Sequence, residues 1–221
     1  MAEKIALAWS GGKDSALALY ELRRKNYEVV ALLTTITEGY DRISMHGVRE
    51  TLLIKQSENL GIPLLPVRLP APCSNEEYET RLRAATTELK NQGIDSVAFG
   101  DLFLEDIRRY RENNLAQIGM KALSPLWARN TVRLAEEFID LGFRAYLTCV
   151  DTQALAGEFA GRLYDRSLLA ELPPTVDPCG ENGEFHTFVF AGPIFSRPIP
   201  VRRGEKVLRD DRFQFCDLLP D

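Results

Sequence analysis

An apolar strand that runs without a spacer into a Gly-Gly pair, and from there straight into a helix, leaves the backbone few places to go. Lys4 to Trp9 (KIALAW) has the character of a short buried strand, and Ser10-Gly11-Gly12-Lys13-Asp14-Ser15 follows at once. Asp14 to Lys25 then places Ala16, Leu17, Leu19, Tyr20 and Leu22 on one side of a helix. Glycines at such a junction let the chain turn sharply and approach a ligand closely, while the free N–H groups and the positive end of the helix point at the same spot. The junction predicts a phosphate site. Ser10 and Ser15 add hydroxyls, Lys13 adds a positive charge, and Asp14 adds a carboxylate able to hold Mg2+ or to orient a backbone amide.

The surrounding pattern is that of an α/β protein. Glu28 to Ile36 (EVVALLTTI) is nearly continuous in apolar character, as a strand covered on both faces should be. A helix from about Val48 to Leu60 is stopped by Gly61 and Pro63, and Leu64 to Leu69 is a third strand. Ser74 and Glu77 form a capping-box pattern that opens a helix to about Asn91. Ile94 to Gly100 reads as a fourth strand, Asp106 to Gly119 as a helix and Lys121 to Leu123 as a fifth strand. This alternation predicts a five-stranded, mostly parallel sheet with helices on both faces and ligands beyond the carboxyl ends of its strands.

After Pro125 the pattern changes. A helix (Thr131 to Leu141) and a strand (Arg144 to Val150) continue the alternation, and a further helix is expected through Phe159 to Leu169. From Val176 onward the chain is turn-rich, with short apolar stretches at Phe188 to Ala191 and Phe213 to Leu219. The expected division is a nucleotide-binding unit over residues 1–125 and a smaller α+β unit, on the substrate side, over residues 126–221.

Composition removes several function classes. With 27 Lys and Arg against 32 Asp and Glu, the net charge of -5 provides no global field for nucleic acid or an anionic membrane. Apolar runs such as Val29 to Leu33 are too short to span a bilayer, so a cytosolic address is expected. Cys73, Cys149, Cys179 and Cys216 lack the short spacing of a zinc site or a dithiol centre and read as reduced thiols. Only two histidines, His46 and His186, are present, which excludes any mechanism that needs several imidazoles.

Neither G-x-x-x-x-G-K-[ST] nor G-x-G-x-x-G occurs at the glycine pair. What stands there resembles the S-G-G-x-D-S loop of the PP-loop ATP pyrophosphatases, of the adenine nucleotide alpha hydrolase superfamily, and implies a HUP-like, PP-loop fold. That resemblance also implies a chemistry in which a substrate oxygen attacks the α-phosphorus of ATP, pyrophosphate leaves, and a nitrogen or sulfur nucleophile displaces the adenylate. The loop would clamp the pyrophosphate, Mg2+ would offset its charge, and adenine would sit near Leu33, Thr34 and Thr35.

Further segments narrow the resemblance. Met45-His46-Gly47-Val48, Phe99-Gly100-Asp101, Ser124-Pro125-Leu126-Trp127 and, above all, Asp177 to Thr187 (DPCGENGEFHT) resemble the diphthine–ammonia ligase family over nearly the whole chain. On residue chemistry alone, Glu181, Asn182, Glu184 and His186 lie within six residues, and Gly180 and Gly183 let the backbone aim them at one place. Carboxylates there are suited to hold ammonium, and Glu184 or His186 to accept its proton so that ammonia attacks. Asp14, Asn182, Glu184 and His186 are therefore the expected catalytic residues, with Glu181 beside them for substrate or ammonia. The nucleotide is expected on Ser10 to Ser15, Thr34, His46, Gly100 and Asp101, and Mg2+ on Asp14 and Asp101. The Arg108, Arg109 and Arg111 cluster reads as a solvated helix face or as a steering patch for phosphates.

The resemblance implies an ATP-dependent ligase that adenylates a carboxylate and aminates it with free ammonia, the carboxylate being that of diphthine on elongation factor 2. Alternatives are a paralogue amidating another carboxylate, such as a cobalamin precursor, a PP-loop sulfurtransferase, or an ATP-binding regulator without catalysis. A homodimer is left open as the assembly.

Overall fold

A computed structural model describes residues 2–40, 42–43 and 46–221. Met45 of the segment singled out above therefore lies outside the described residues. In chain order the elements are β1 (Lys4–Ala8), α1 (Lys13–Arg24), β2 (Glu28–Thr37), β3 (Arg42–Ile43), α2 (Glu50–Leu60), β4 (Leu64–Leu69), α3 (Asn75–Asn91), β5 (Ser96–Ala98), α4 (Glu105–Ala116) and β6 (Lys121–Leu123). They are followed by α5 (Thr131–Asp140), β7 (Arg144–Asp151), a 3-10 turn (Gly157–Phe159), α6 (Arg166–Glu171), β8 (Phe185–Ala191), β9 (Val201–Arg209) and β10 (Phe213–Pro220).

The five expected strands form a parallel sheet in the order β4-β2-β1-β5-β6. A sixth, two-residue strand joins them: β3 pairs antiparallel with the end of β2 at Ile36 and Thr37, past the residues that β1 covers. Strand periodicity sends neighbouring side chains to opposite faces. Ile5 and Leu7 pack with α1 and α2, whereas Ala6 joins Leu89, Val97 and Leu115 on the side of α3 and α4. Ser74 caps α3 by accepting the Glu77 N–H at 3.1 Å, as its capping pattern predicts.

β7 does not extend the parallel sheet. It belongs to an antiparallel sheet in the order β8-β7-β10-β9, built from the apolar stretches at 188–191 and 213–219 and from a strand, β9, that sequence reading missed. β9 is an edge strand whose residues are largely solvated, so it shows little of the apolar alternation that marks a half-buried strand. The helix expected through Phe159 to Leu169 shortens to Arg166–Glu171. Gly161 adopts φ +81 and donates its N–H to Leu147 O of β7 at 2.7 Å, while the Leu147 N–H donates to Arg162 O at 2.9 Å, and that pairing takes the backbone out of the helix.

The two sheets share one core. Leu19 and Leu22 of α1 belong to the same buried cluster as Phe138, Phe143, Tyr164 and Phe188, all within 3% of full burial. Each such side chain contributes roughly 1.5–3 kcal/mol relative to exposure. Among the described residues no helix is long and apolar enough to cross a membrane.

Candidate active site

The loop expected to bind phosphate forms at the β1–α1 junction. Gly11 turns through φ +74, and a Cβ there would meet Gln56 Oε1 at 2.7 Å, so both conformation and space require glycine. Gly12 is the N-cap of α1 and offers no side chain to its N–H groups. Thr187 supplies one from β8, its Oγ1 accepting the Lys13 N–H at 3.0 Å. Ser15 Oγ donates to Gly12 O at 2.9 Å, and Lys13 Nζ lies 2.7 and 2.8 Å from the two oxygens of Asp14. Burial, the largest single effect, presses the Lys13 ammonium downward, but the attractions of Asp14, Cys179 and Glu181 together outweigh it and leave the pKa above its ordinary value. Burial raises the Asp14 carboxyl despite the same partner.

The end of β5 packs against that loop. A Cβ on Gly100 would fall 2.9 Å from the Asp14 carbonyl carbon, so the strand and the first turn of α1 touch. Asp101 Oδ1 pairs with Arg111, whose guanidinium lies 4.5 Å from the centre of the Phe99 ring. Among the described residues, Asp101 Oδ2, Thr34 Oγ1 and His46 Nδ1 are buried without a hydrogen-bond partner, and all three residues line one cleft. Buried polar atoms without partners cost free energy, which a polar ligand would recover.

A second wall comes from the segment that leads into β8. Glu181 Oε1 accepts the Leu102 N–H at 2.8 Å, and burial pushes its carboxyl up to about 7. Glu184, three residues on, is turned away from the cleft. Its oxygens accept from Asp177 N at 2.9 Å, Asn182 N at 3.0 Å and Asn182 Nδ2 at 2.9 Å, and the side chain is 5% exposed. His186 and His46 stack with ring centres 4.3 Å apart. Burial, then the charge of Lys13, lowers His186 to about 4; burial and then His186 hold His46 well below its ordinary value. Both shifts favour the neutral imidazole.

Together with Tyr78 and Leu82 of α3 and Ile107 and Tyr110 of α4, these walls line a cleft of about 580 Å3. That volume suits a nucleotide-sized ligand. Asp14, paired with Lys13, and Asp101, paired with Arg111, both line this cleft, and the unpartnered Asp101 Oδ2 would suit a Mg2+ held by one or two carboxylates and completed by substrate phosphates rather than an all-protein cage. Among the described residues no group of three or more His, Cys, Asp or Glu side chains gathers as a metal site.

Comparison with known proteins is decisive for the family. The family model described as the diphthamide synthase N-terminal domain matches residues 3–122, and that of the diphthamide synthase C-terminal domain matches residues 130–218. The chain belongs to the diphthamide synthase family. Relatives described as diphthine–ammonia ligases include one from Schizosaccharomyces pombe, 26% identical over 95% of this chain and 38% of its own length. Those from Rattus norvegicus and Homo sapiens are each 25% identical over 93% of this chain and 85% of their own length. A solved structure from Methanocaldococcus jannaschii, described as a predicted subunit of a tRNA methyltransferase, covers 89% of this chain at 16% identity and TM-score 0.45, too remote to carry an argument.

In this diphthamide synthase family member the cleft collects most of the residues read from the sequence: Ser10, Gly12 to Ser15, Thr34, His46, Gly100, Asp101, Glu181 and His186. Gly11 and Glu184 are buried behind its surface, and Asn182 is exposed and not part of its lining. The carbonyl of Gly11 accepts from Gln56 Nε2 at 3.0 Å and Val189 N at 2.9 Å, while Asn182 and Glu184 bond to each other. Arg111 lines the cleft, in contrast to Arg108 and Arg109, which make pairs one turn away along α4.

Gln56 was missed. Fully buried, it accepts from Trp9 Nε1 at 2.8 Å and donates to Gly11 O and to Val189 O at 2.7 Å, tying β1, the loop and β8 together. A polar residue on the apolar side of α2, in register with Leu52, Leu53 and Leu60, was the signal.

Proposed function

We propose that this chain is an ATP-dependent amide ligase that adenylates a substrate carboxylate with release of pyrophosphate and then aminates it with ammonia. One observation carries the reading: the Ser10–Ser15 loop and the Glu181–Thr187 segment, drawn from different sheets, pack together and line a single nucleotide-sized cleft. Family membership supports the ligase class, and the relatives' names, diphthine–ammonia ligase, support diphthine as the carboxylate and ammonia as the nitrogen donor; elongation factor 2 as the bearer of that diphthine and a cytosolic address belong to the same proposal. Sulfur transfer and non-catalytic ATP binding have no comparable support.

In this reading Lys13, the N-terminus of α1 and the serine hydroxyls bind the phosphates, and the burial of Lys13 strengthens its field. Mg2+, when bound with ATP on Asp14 and Asp101, would offset charge on the departing pyrophosphate. Attack of ammonia on the acyl carbon expels AMP, and the nitrogen must then lose a proton. Glu181, with a carboxyl near 7 on the cleft wall, is the acceptor matched to neutral pH. Glu184 and His186, named for that role on sequence grounds, suit it less: the first has its oxygens committed to the loop, and the second is too weak a base.

The test is product analysis. With diphthine-bearing elongation factor 2 and ammonium, ATP should yield AMP and pyrophosphate in step with amide; ADP and phosphate would refute adenylation, and ATP cleavage without amide would refute the ligase assignment.

A further inference from the structure

His46 reaches the cleft from the segment between β2 and α2, and the device that holds that segment closed lies in the other sheet. Arg42 and Arg49 face each other across an antiparallel bridge, and the turn between them is tightened by Ile43 N to Val48 O at 2.9 Å and Gly47 N to Ile43 O at 3.1 Å. Two guanidiniums opposite one another repel, so a turn closed in this way needs a counterion. Asp217 of β10 provides it. Its Oδ1 accepts from Arg42 at 2.9 Å and from Arg49 Nε at 3.1 Å, and its Oδ2 accepts from Arg49 at 2.5 Å. Arg42 also donates to the carbonyl of Gly47, beside His46, at 2.6 Å.

The register of β10 explains how one carboxylate reaches both partners. Cys216 pairs with Lys206 and Leu218 with Arg203, so Asp217 stands opposite two residues of β9, Gly204 and Glu205. A bulge of this kind re-aims a side chain. The neighbouring Phe215 completes the hold: Gly47 sits against its ring at φ +65, and a Cβ there would approach the ring to 2.6 Å. Asp217 is 19% exposed, and its two partners are 30% and 39% exposed, so water screens the cluster only in part.

We propose that Asp217 is a positioning residue, the counterion that holds Arg42 against Arg49 and thereby presents His46 to the cleft against His186. The proposal does not depend on the ligase reading, because its test needs no substrate.

The chain has two histidines, so both imidazoles can be followed by NMR titration without ambiguity. In Asp217→Asn the turn loosens, and the titration midpoint of His46 rises by at least about one unit toward the ordinary value of about 6.5. Exchange of the Gly47 amide speeds up by roughly tenfold or more, while circular dichroism shows the fold retained. In Asp217→Asn combined with Arg49→Gln the repulsion is gone, and His46 returns toward its wild-type midpoint, a non-additivity that a merely structural contact would not produce. Unchanged His46 and Gly47 signals in folded Asp217→Asn overturn the proposal, as does a double variant shifted at least as far as the single one. Loss of the fold in both variants overturns it too, since Asp217 would then support the sheet rather than the turn.

Discussion

The two walls of the cleft reach their chemistry by different routes. The wall at residues 10–15 is made by six consecutive residues whose backbone does most of the work, so its function follows from a local conformation: a strand end, a positive-φ glycine and the first turn of a helix. The wall at residues 177–187 is also contiguous, yet its carboxylates, three residues apart, have opposite fates. Glu181 faces the cleft with its carboxyl raised to about 7; Glu184 is buried in hydrogen bonds to its own loop. A backbone-built site is readable from spacing, whereas a side-chain-built site depends on which way each side chain is sorted.

The largest effect should come from the first wall. Lys13→Met removes the buried positive charge and leaves Asp14 without its partner, and AMP formation should fall by roughly 10²–10³-fold with the fold intact by circular dichroism. A fall below tenfold would mean that the backbone N–H groups carry the phosphates unaided.

The second wall should split by residue. Glu181→Gln should lower amide formation by roughly 10²-fold. It should also erase the pH dependence: in wild type a proton acceptor near 7 makes the rate rise with pH through neutrality, since only the deprotonated form accepts. Glu184→Gln should keep that profile and instead weaken the fold by about 1–3 kcal/mol in urea titration, because an amide nitrogen would face donors. A Glu184→Gln enzyme that is stable but loses the neutral limb would reverse the two assignments.

The smallest effect on chemistry tests the seam between the walls. Gln56→Leu strands the Trp9 indole N–H and the Val189 carbonyl, and about 2–4 kcal/mol of stability should be lost. The residual activity of folded enzyme should change less than in Lys13→Met. Equal losses in both would show that Gln56 sets the loop geometry itself.

Much of the first unit was legible because its signals are local. β1, β2, β4 and β6 begin and end within two residues of their expected bounds, as α3 does from its Ser74 cap, since parallel strands covered on both faces read as unbroken apolar runs. β5 keeps only Ser96 to Ala98 of its expected run, and β3 carries no signal in two residues. The charged edge strand β9 and the interruption at Gly161 escaped because neither follows the periodicity of a half-buried element.

The sequence alone determined that a strand, a Gly-Gly pair and a helix follow one another at β1, that an α/β sheet carries this junction, and that a Gly-spaced acidic segment with one imidazole lies further along the chain. Each of these rests on the dihedral freedom of glycine, the period of apolar residues or the chemistry of side chains, and those are properties of short stretches. Only the tertiary structure decided that Thr187 caps α1, that Gln56 joins the two sheets, that Asp217 holds the turn of His46, and that Glu181 rather than Glu184 faces the cleft. Those outcomes hang on contacts between residues up to 175 positions apart and on how far burial strips water from a charge, and no stretch of sequence carries either.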